Sequence, residues 1–177
     1  NTLNSRTTVP LQVNATAIEG TYASVSAQLL ANAGLDAVGG AAITPTITGM
    51  DAINVLVPSG TETVSLANLI NLDGLTTGTI TAKVTETRTD QLVAAGTGLV
   101  SGHNIAVDVA TSNGVATVHD PATINNINNR TTGRVTVTGG TLSGLAADLK
   151  TAFAANTANA DLVATSQLAG LETRGTT

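Results

Sequence analysis

The sequence predicts an α/β protein: a repeat array of short strand-helix units, solenoid-like, around a mainly parallel sheet. Three observations predict it. The stretch Asn129-Arg130-Thr131-Thr132-Gly133-Arg134-Val135-Thr136-Val137 returns in edited form as Ser5-Arg6-Thr7-Thr8-Val9-Pro10-Leu11-Gln12-Val13, as Gly74-Leu75-Thr76-Thr77-Gly78-Thr79-Ile80-Thr81-Ala82 and, at the end, as Thr173-Arg174-Gly175-Thr176-Thr177. Self-similarity of this kind is the mark of repeat architectures. Segments of period two alternate along the chain with segments of helical period. Such alternation favours parallel strands, because a parallel pair needs a long return connection, which a helix supplies. An all-β stack or sandwich is the structural rival, favoured by the abundance of Thr and Val.

Taken in order, residues 1–10 read as the tail of a unit, since Leu3-Asn4-Ser5-Arg6-Thr7-Thr8 matches Ile127-Asn128-Asn129-Arg130-Thr131-Thr132. Leu11-Gln12-Val13-Asn14 alternates as a half-buried strand. Tyr22, Val25, Ser26, Leu29 and Ala33 share one helical face, and Gly34 is placed to end that helix. Ile53 to Val57 reads as a strand, followed by a turn and a helix carrying Val64, Leu66, Leu69 and Ile70. Thr79 to Val84 is the next strand, followed by a degraded helix near Thr89 to Val93. Val115 to Val118 leads to Asp120-Pro121, a good helix start because a carboxylate accepts the orphan amides and proline suits the first turn. Ile124 and Ile127 mark that helix.

Val135 and Val137 form a further strand, and Leu142, Leu145, Ala146, Leu149 and Phe153 a helical stripe. Gly140 to Leu149 overlies Gly20 to Leu29 without a gap. Asp161 to Ala164 and Ser166 to Leu171 give a last strand and helix. Thr44 to Thr48 and Asn104 to Val109 read as extra strands within insertions that space the Thr pairs unevenly. The expected units are 1–75, with an insertion, 76–130, and 131–177, incomplete.

Composition limits the function. The 177 residues are 42% hydrophobic, yet they include one Phe, one Tyr and no Trp, so the core must be aliphatic. Charged residues are 11%, below half of the roughly 25% usual in soluble chains. A net charge of −5 with seven Lys and Arg argues against a phosphate-tracking groove, and two aromatic rings make no base-stacking platform. No nucleic-acid partner is expected. The absence of Cys removes disulfides, thiolate metal sites and a Cys nucleophile. It fits a bacterial surface protein exported unfolded, and it fits a cytosolic protein as well. No apolar run approaches the 18 residues of a membrane helix, so no membrane span is expected. A chain beginning with Asn suggests a processed product or part of a longer protein.

No motif announces catalysis, a cofactor or a metal. His103 and His119 stand on different segments without a surrounding carboxylate cluster at ligand spacing. A triad of Asp108 or Asp120, His119 and Ser101 or Ser112 lacks the Gly-x-Ser-x-Gly elbow that would present a nucleophile. Gly96-Thr97-Gly98-Leu99-Val100-Ser101-Gly102 places its third Gly one residue late for a dinucleotide fingerprint and follows a helix, so it reads as a loop. The Thr-x-Thr pairs Thr46/Thr48, Thr61/Thr63, Thr79/Thr81, Thr85/Thr87 and Thr136/Thr138 could align hydroxyls on strand faces.

With these residues in view, the chain resembles the tandem modules of very large secreted cell-surface proteins of marine cyanobacteria. The carrying residues are Asn1-Thr2-Leu3 with Thr7-Thr8, Leu72-Asp73-Gly74-Leu75-Thr76-Thr77-Gly78-Thr79-Ile80-Thr81, and Leu142-Ser143-Gly144-Leu145-Ala146-Ala147-Asp148-Leu149. The resemblance implies a secreted, structural or adhesive protein and no catalytic residue. The Gly-Gly-x-Gly-x-Asp calcium nonapeptide of associated secreted proteins is absent, so calcium binding does not carry over.

The expectation is therefore a non-enzymatic structural segment of an extracellular filament or surface layer. Its partners would be copies of itself, head to tail, or adjoining repeats of the same chain. Exposed unit ends are adhesive in such arrays, which nominates Val9, Leu11, Val13, Leu168 and Leu171 as assembly residues. The alternative is an adhesin or fibre module that binds surface glycan or ice through a Thr-rich face.

Overall fold

A computed structural model of the chain describes residues 10–35, 47–60, 62–110, 118–138, 140–158 and 162–165. The first strands, β1 (Leu11–Gln12) and β2 (Ala17–Glu19), precede helix α1 (Tyr22–Ala33). Then come β3 (Ile47–Thr48), β4 (Asn54–Leu56), α2 (Leu66–Asp73), β5 (Ile80–Lys83), α3 (Thr89–Leu92) and β6 (Asn104–Ala110). The remainder is β7 (Val118–His119), α4 (Pro121–Asn129), β8 (Val135–Thr138), β9 (Thr141–Leu142), α5 (Ala146–Ala158) and β10 (Leu162–Thr165). The chain is α/β. Its main sheet has six strands in the order β2-β4-β5-β6-β8-β10, all parallel, so each successive member is added at the same edge. Two small parallel sheets, β1-β3 and β7-β9, also run in chain order.

Local chemistry starts and stops these elements. Thr21 caps α1, its hydroxyl accepting from Ser24 N, and Gly34 ends the helix in the left-handed region at φ 69°. That conformation suits glycine at a helix C-terminus. Ser65 caps α2 by accepting from Asn68 N. Asp120 and Pro121 open α4 as the sequence predicts, with the carboxylate accepting from Ala122 N. Helices this short are marginal in isolation. They hold through their apolar stripes: Val25 and Leu29, then Leu66, Leu69 and Leu72, then Ile124 and Ile127, all buried. Each such side chain contributes about 1.5–3 kcal/mol relative to exposure.

The strands supply the other half of this core. Val55, Ile80, Ala82, Ile105, Val107, Val109, Val135 and Val137 are buried and belong to one cluster with the helix side chains. The intervening residues Leu56, Thr81, Lys83, Ala106, Asp108, Thr136 and Thr138 are half-buried, and Asn54 and Asn104 are exposed. Parallel sheets are usually covered on both faces. Among the described residues the helices pack on one face, and the alternation of period two shows which.

Several expectations need adjustment. Leu142 lies in β9 rather than on a helix, Leu145 is 74% exposed, and α5 begins at Ala146. The gapless overlay of Gly140 to Leu149 on Gly20 to Leu29 therefore fails, because Gly140 at φ 73° starts a turn into a short strand. The degraded middle helix is a single turn, α3. Of Thr44 to Thr48, only Ile47 and Thr48 are described, as β3; of Val115 to Val118, only Val118 is. The helix expected over Ser166 to Leu171 lies outside the described residues. The helices exclude a wholly β stack.

Candidate functional site

The recurring Thr-Thr-Gly stretch lies at the joints between neighbouring strands. Between β4 and β5, the Thr76 hydroxyl lies 2.8 Å from the Ile53 carbonyl and accepts from Gly78 N at 3.0 Å. The Thr77 amide donates to the Asp51 carbonyl at 2.8 Å, and its hydroxyl reaches the same oxygen at 3.1 Å. Between β6 and β8, Thr131 and Thr132 repeat the pattern. The Thr131 hydroxyl accepts from Ile105 N at 2.8 Å and from Gly133 N at 2.9 Å, and lies 2.8 Å from the Ile105 carbonyl. The Thr132 amide donates to the His103 carbonyl at 3.0 Å.

Glycine follows each of these two Thr pairs for a steric reason. A Cβ on Gly78 would stand 2.1 Å from the Ile53 oxygen, and one on Gly133 would stand 2.4 Å from the Ile105 carbonyl carbon and oxygen. Each Thr-Thr-Gly is thus a clasp: two hydroxyls and one amide grip the preceding strand's entry, the glycine amide braces the first hydroxyl, and the missing side chain lets the backbones meet.

The joint between β5 and β6 carries histidine instead. His103 is 6% exposed; its Nδ1 accepts from the Ile80 amide at 3.2 Å, and Nε2 lies 2.7 Å from Asp73 Oδ1. A nitrogen that accepts a backbone N–H carries no proton, so the Ile80 contact assigns the neutral ring's proton to Nε2, which donates to Asp73. The first joint uses Asn32 of α1, whose amide donates to Asp51 Oδ1 at 2.8 Å and whose carbonyl oxygen accepts from Met50 N at 3.0 Å.

A second set of contacts ties the helices across joints. Glu62, after β4, accepts from the Tyr22 amide at the start of α1. Glu86, after β5, accepts from the Leu66 amide at the start of α2 with both oxygens, at 3.1 and 3.0 Å. A carboxylate at a helix N-terminus satisfies an orphan donor and meets the positive end of the helix dipole. These two residues escaped the sequence reading, although Thr61-Glu62-Thr63 and Thr85-Glu86-Thr87 carry a recurring signal.

The candidate catalytic residues that the structure describes have the following places. Asp108 pairs with Lys83 at 2.5 Å on the open sheet face. Asp120 caps α4 and also accepts from the Thr123 hydroxyl at 3.1 Å. His119 is buried in β7, Ser101 lies in an exposed turn, and Ser112 lies outside the described residues. The Gly96 to Gly102 stretch is a turn after α3 leading into β6. Among the described residues no group of three His, Cys, Asp or Glu side chains could hold a metal ion, and no helix is long and apolar enough to cross a membrane. Of the assembly residues, Leu11 and Val13 are half-buried near β1; Val9, Leu168 and Leu171 lie outside the described residues.

Of the five Thr-x-Thr pairs, Thr81, Thr136 and Thr138 reach the open sheet face, where Lys83, Asp108 and Ala106 interrupt them. Thr63 and Thr85 instead join hydroxyls at 2.9 Å beside the Glu62 and Glu86 caps.

A groove of about 670 Å³ lies between α2 and α3, lined by Leu66, Ile70, Glu86, Asp90, Gln91 and Ala94 among others. Two bonds from the Arg88 guanidinium, at 3.0 and 2.7 Å, hold the Asp90 carboxyl below the usual carboxylate range, and Asp90 raises Arg88 in turn. Compared with family models, curated proteins and solved structures, the chain matches none.

Proposed function

We propose that the chain is a non-enzymatic structural segment of an extracellular filament or surface layer, with its strand-helix units wound as a solenoid and continued by further units of the same kind. The observation that carries this reading is the placement of the recurring polar residues. Thr76-Thr77-Gly78 and Thr131-Thr132-Gly133 grip the preceding strand, and Glu62 and Glu86 cap the preceding helix. Residues that recur in order to join one unit to the next are what a stacked array requires, because its stability is a sum of unit and neighbour terms. Parallel strands added in chain order extend such a stack in one direction. The resemblance to giant cell-surface modules points to the same setting outside the cell.

The adhesin reading, with glycan or ice bound on a Thr face, has Thr81, Thr136 and Thr138 in its favour. The Lys83–Asp108 ion pair in the middle of that face breaks the run of hydroxyls, so the structural reading is preferred. Immunogold electron microscopy of the source cells with antibodies to this chain tests it. Label along extracellular filaments or sheets is the expected result; label confined to the cytoplasm would overturn it.

A further inference from the structure

Each inner strand of the main sheet buries its helix-facing row almost completely: Val55 is 1% exposed, and Ile80, Val107 and Val135 are at 0%. Ile18, which pairs with Val55 in register, is the corresponding residue of the outermost strand β2, and it is only half-buried. Val13 and Tyr22 are half-buried as well and pack on the same core. The end of the stack at β2 is therefore an incomplete copy of an internal joint.

Its hydrogen-bonding edge is defined by the bonds already made. The Asn54 amide donates to the Thr16 carbonyl and the Gly20 amide donates to the Leu56 carbonyl. Alternate residues of a strand point their backbone groups to the same side, so Thr16, Ile18 and Gly20 face β4. Ala17 and Glu19 turn their amides and carbonyls outward. Among the described residues no hydrogen bond takes those two amides.

We infer that this edge is an interface for a second copy of the chain, whose β10 lies parallel to β2 and continues the sheet. The proposal rests on the structural reading above and names its partner. A second copy fits because all five internal pairings of the sheet are parallel and in chain order, so β10 against β2 repeats a pairing the chain makes throughout. Leu162 and Ala164 of β10 stand in backbone register with Val135 and Val137, and period two lets Ile18 take the same register position against one of them. The Glu19 carboxylate is no obstacle, since Lys83 and Asp108 occupy the equivalent open face of fully paired inner strands. The two edges differ, so the contact is heterologous, which excludes a closed twofold dimer and grows open chains when the rotation between copies does not close.

Sedimentation velocity of the intact chain across a wide concentration range tests this inference. The expected result is a mass that rises with concentration without a plateau. Glu19→Pro deletes one outward amide and leaves the ladder to β4 untouched; it should weaken association about tenfold or more with an unchanged circular dichroism spectrum and melting curve. Glu19→Thr, which keeps the amide and removes only the carboxylate, should associate as the wild type does. A wild type that stays monomeric, a plateau at dimer mass, or equal assembly by the folded proline variant would each overturn the interface. A monomeric wild type together with gold label on extracellular filaments would overturn only this inference, whereas cytoplasmic label would overturn the structural reading itself.

Discussion

Replacing Gly78 with Ala tests whether the clasp holds the sheet together. A glycine at a conformation any residue can adopt usually gains about 0.4–1 kcal/mol on replacement by alanine, because the unfolded chain loses freedom. Gly78 is not among the positive-φ glycines, so the backbone itself does not forbid alanine. Its Cβ, however, would stand 2.1 Å from the Ile53 oxygen, against 3.4 Å for ordinary contact, and the strands would have to part by the difference of 1.3 Å. Such a retreat breaks three bonds between the neighbours: Thr76 to Ile53 at 2.8 Å, Thr77 to Asp51 at 2.8 Å, and Val55 to Thr79 at 2.9 Å. At about 1 kcal/mol net for each, the loss is about 3 kcal/mol. For a chain of this size the melting temperature should fall by about 6–12 °C. Gly60, where an added Cβ meets nothing within 4 Å, is the control. Urea and thermal melts of Gly78→Ala and Gly60→Ala should move in opposite directions, the first down and the second unchanged or slightly up. Equal stability of the two variants would refute the clasp.

Thr131→Val keeps the shape of the side chain but leaves the Ile105 and Gly133 amides without their acceptor; urea denaturation should show a loss of about 3 kcal/mol, and Thr132→Val a smaller one. Glu86→Ala removes the acceptor of the Leu66 amide while Ser65 still caps α2; it should cost about 1 kcal/mol, read as faster hydrogen exchange at Leu66 with α4 unaffected. By carboxyl-detected NMR, Asp90 should titrate below the ordinary carboxylate range, and Arg88→Gln should return it upward. Because the folded state favours the ionised form, the small stabilisation from this pair is present above the unfolded pKa and is lost as pH falls through the lowered folded value. A titration unmoved by Arg88→Gln would exclude the guanidinium as its cause.

The α/β class was legible because period two and period 3.6 are direct records of which side chains meet the core. Val55, Ile80, Val107 and Val135 alternate, and Leu66, Leu69 and Leu72 recur on one helical face. Asp120-Pro121 was legible for the same kind of reason, since its capping chemistry is local. Leu142 and Leu145 misled because apolar spacing over a few residues does not separate a short strand and turn from a first helical turn. Thr131 and Thr132 stood out as a recurring motif, but their physical task depends on partners 26 to 29 residues away in sequence, Ile105 and His103. Long-range partners of that kind leave no local trace. Glu62 and Glu86 were hidden in the same way: each looks like a solvated residue between two threonines, and only the return of the chain sets it against a helix start 40 or 20 residues earlier.

The joints also explain why the clasp can vary without losing its purpose. What a parallel joint must satisfy is set by the backbone: the entry of the preceding strand presents carbonyls and amides that would be buried without partners, at about 1–3 kcal/mol for each orphan. A threonine pair meets this demand with hydroxyls that both donate and accept, which is why Thr131 serves the Ile105 amide and carbonyl together. The imidazole of His103 accepts from the Ile80 amide through Nδ1 and is itself held at Nε2 by the partly exposed carboxyl group of Asp73. Asn32 solves the first joint from the helix rather than from the strand. The demand recurs at these joints and the supplying residue does not, so different side chains meet the same backbone requirement. That divergence is what uneven spacing and edited motifs look like when the unit under constraint is the joint rather than the residue.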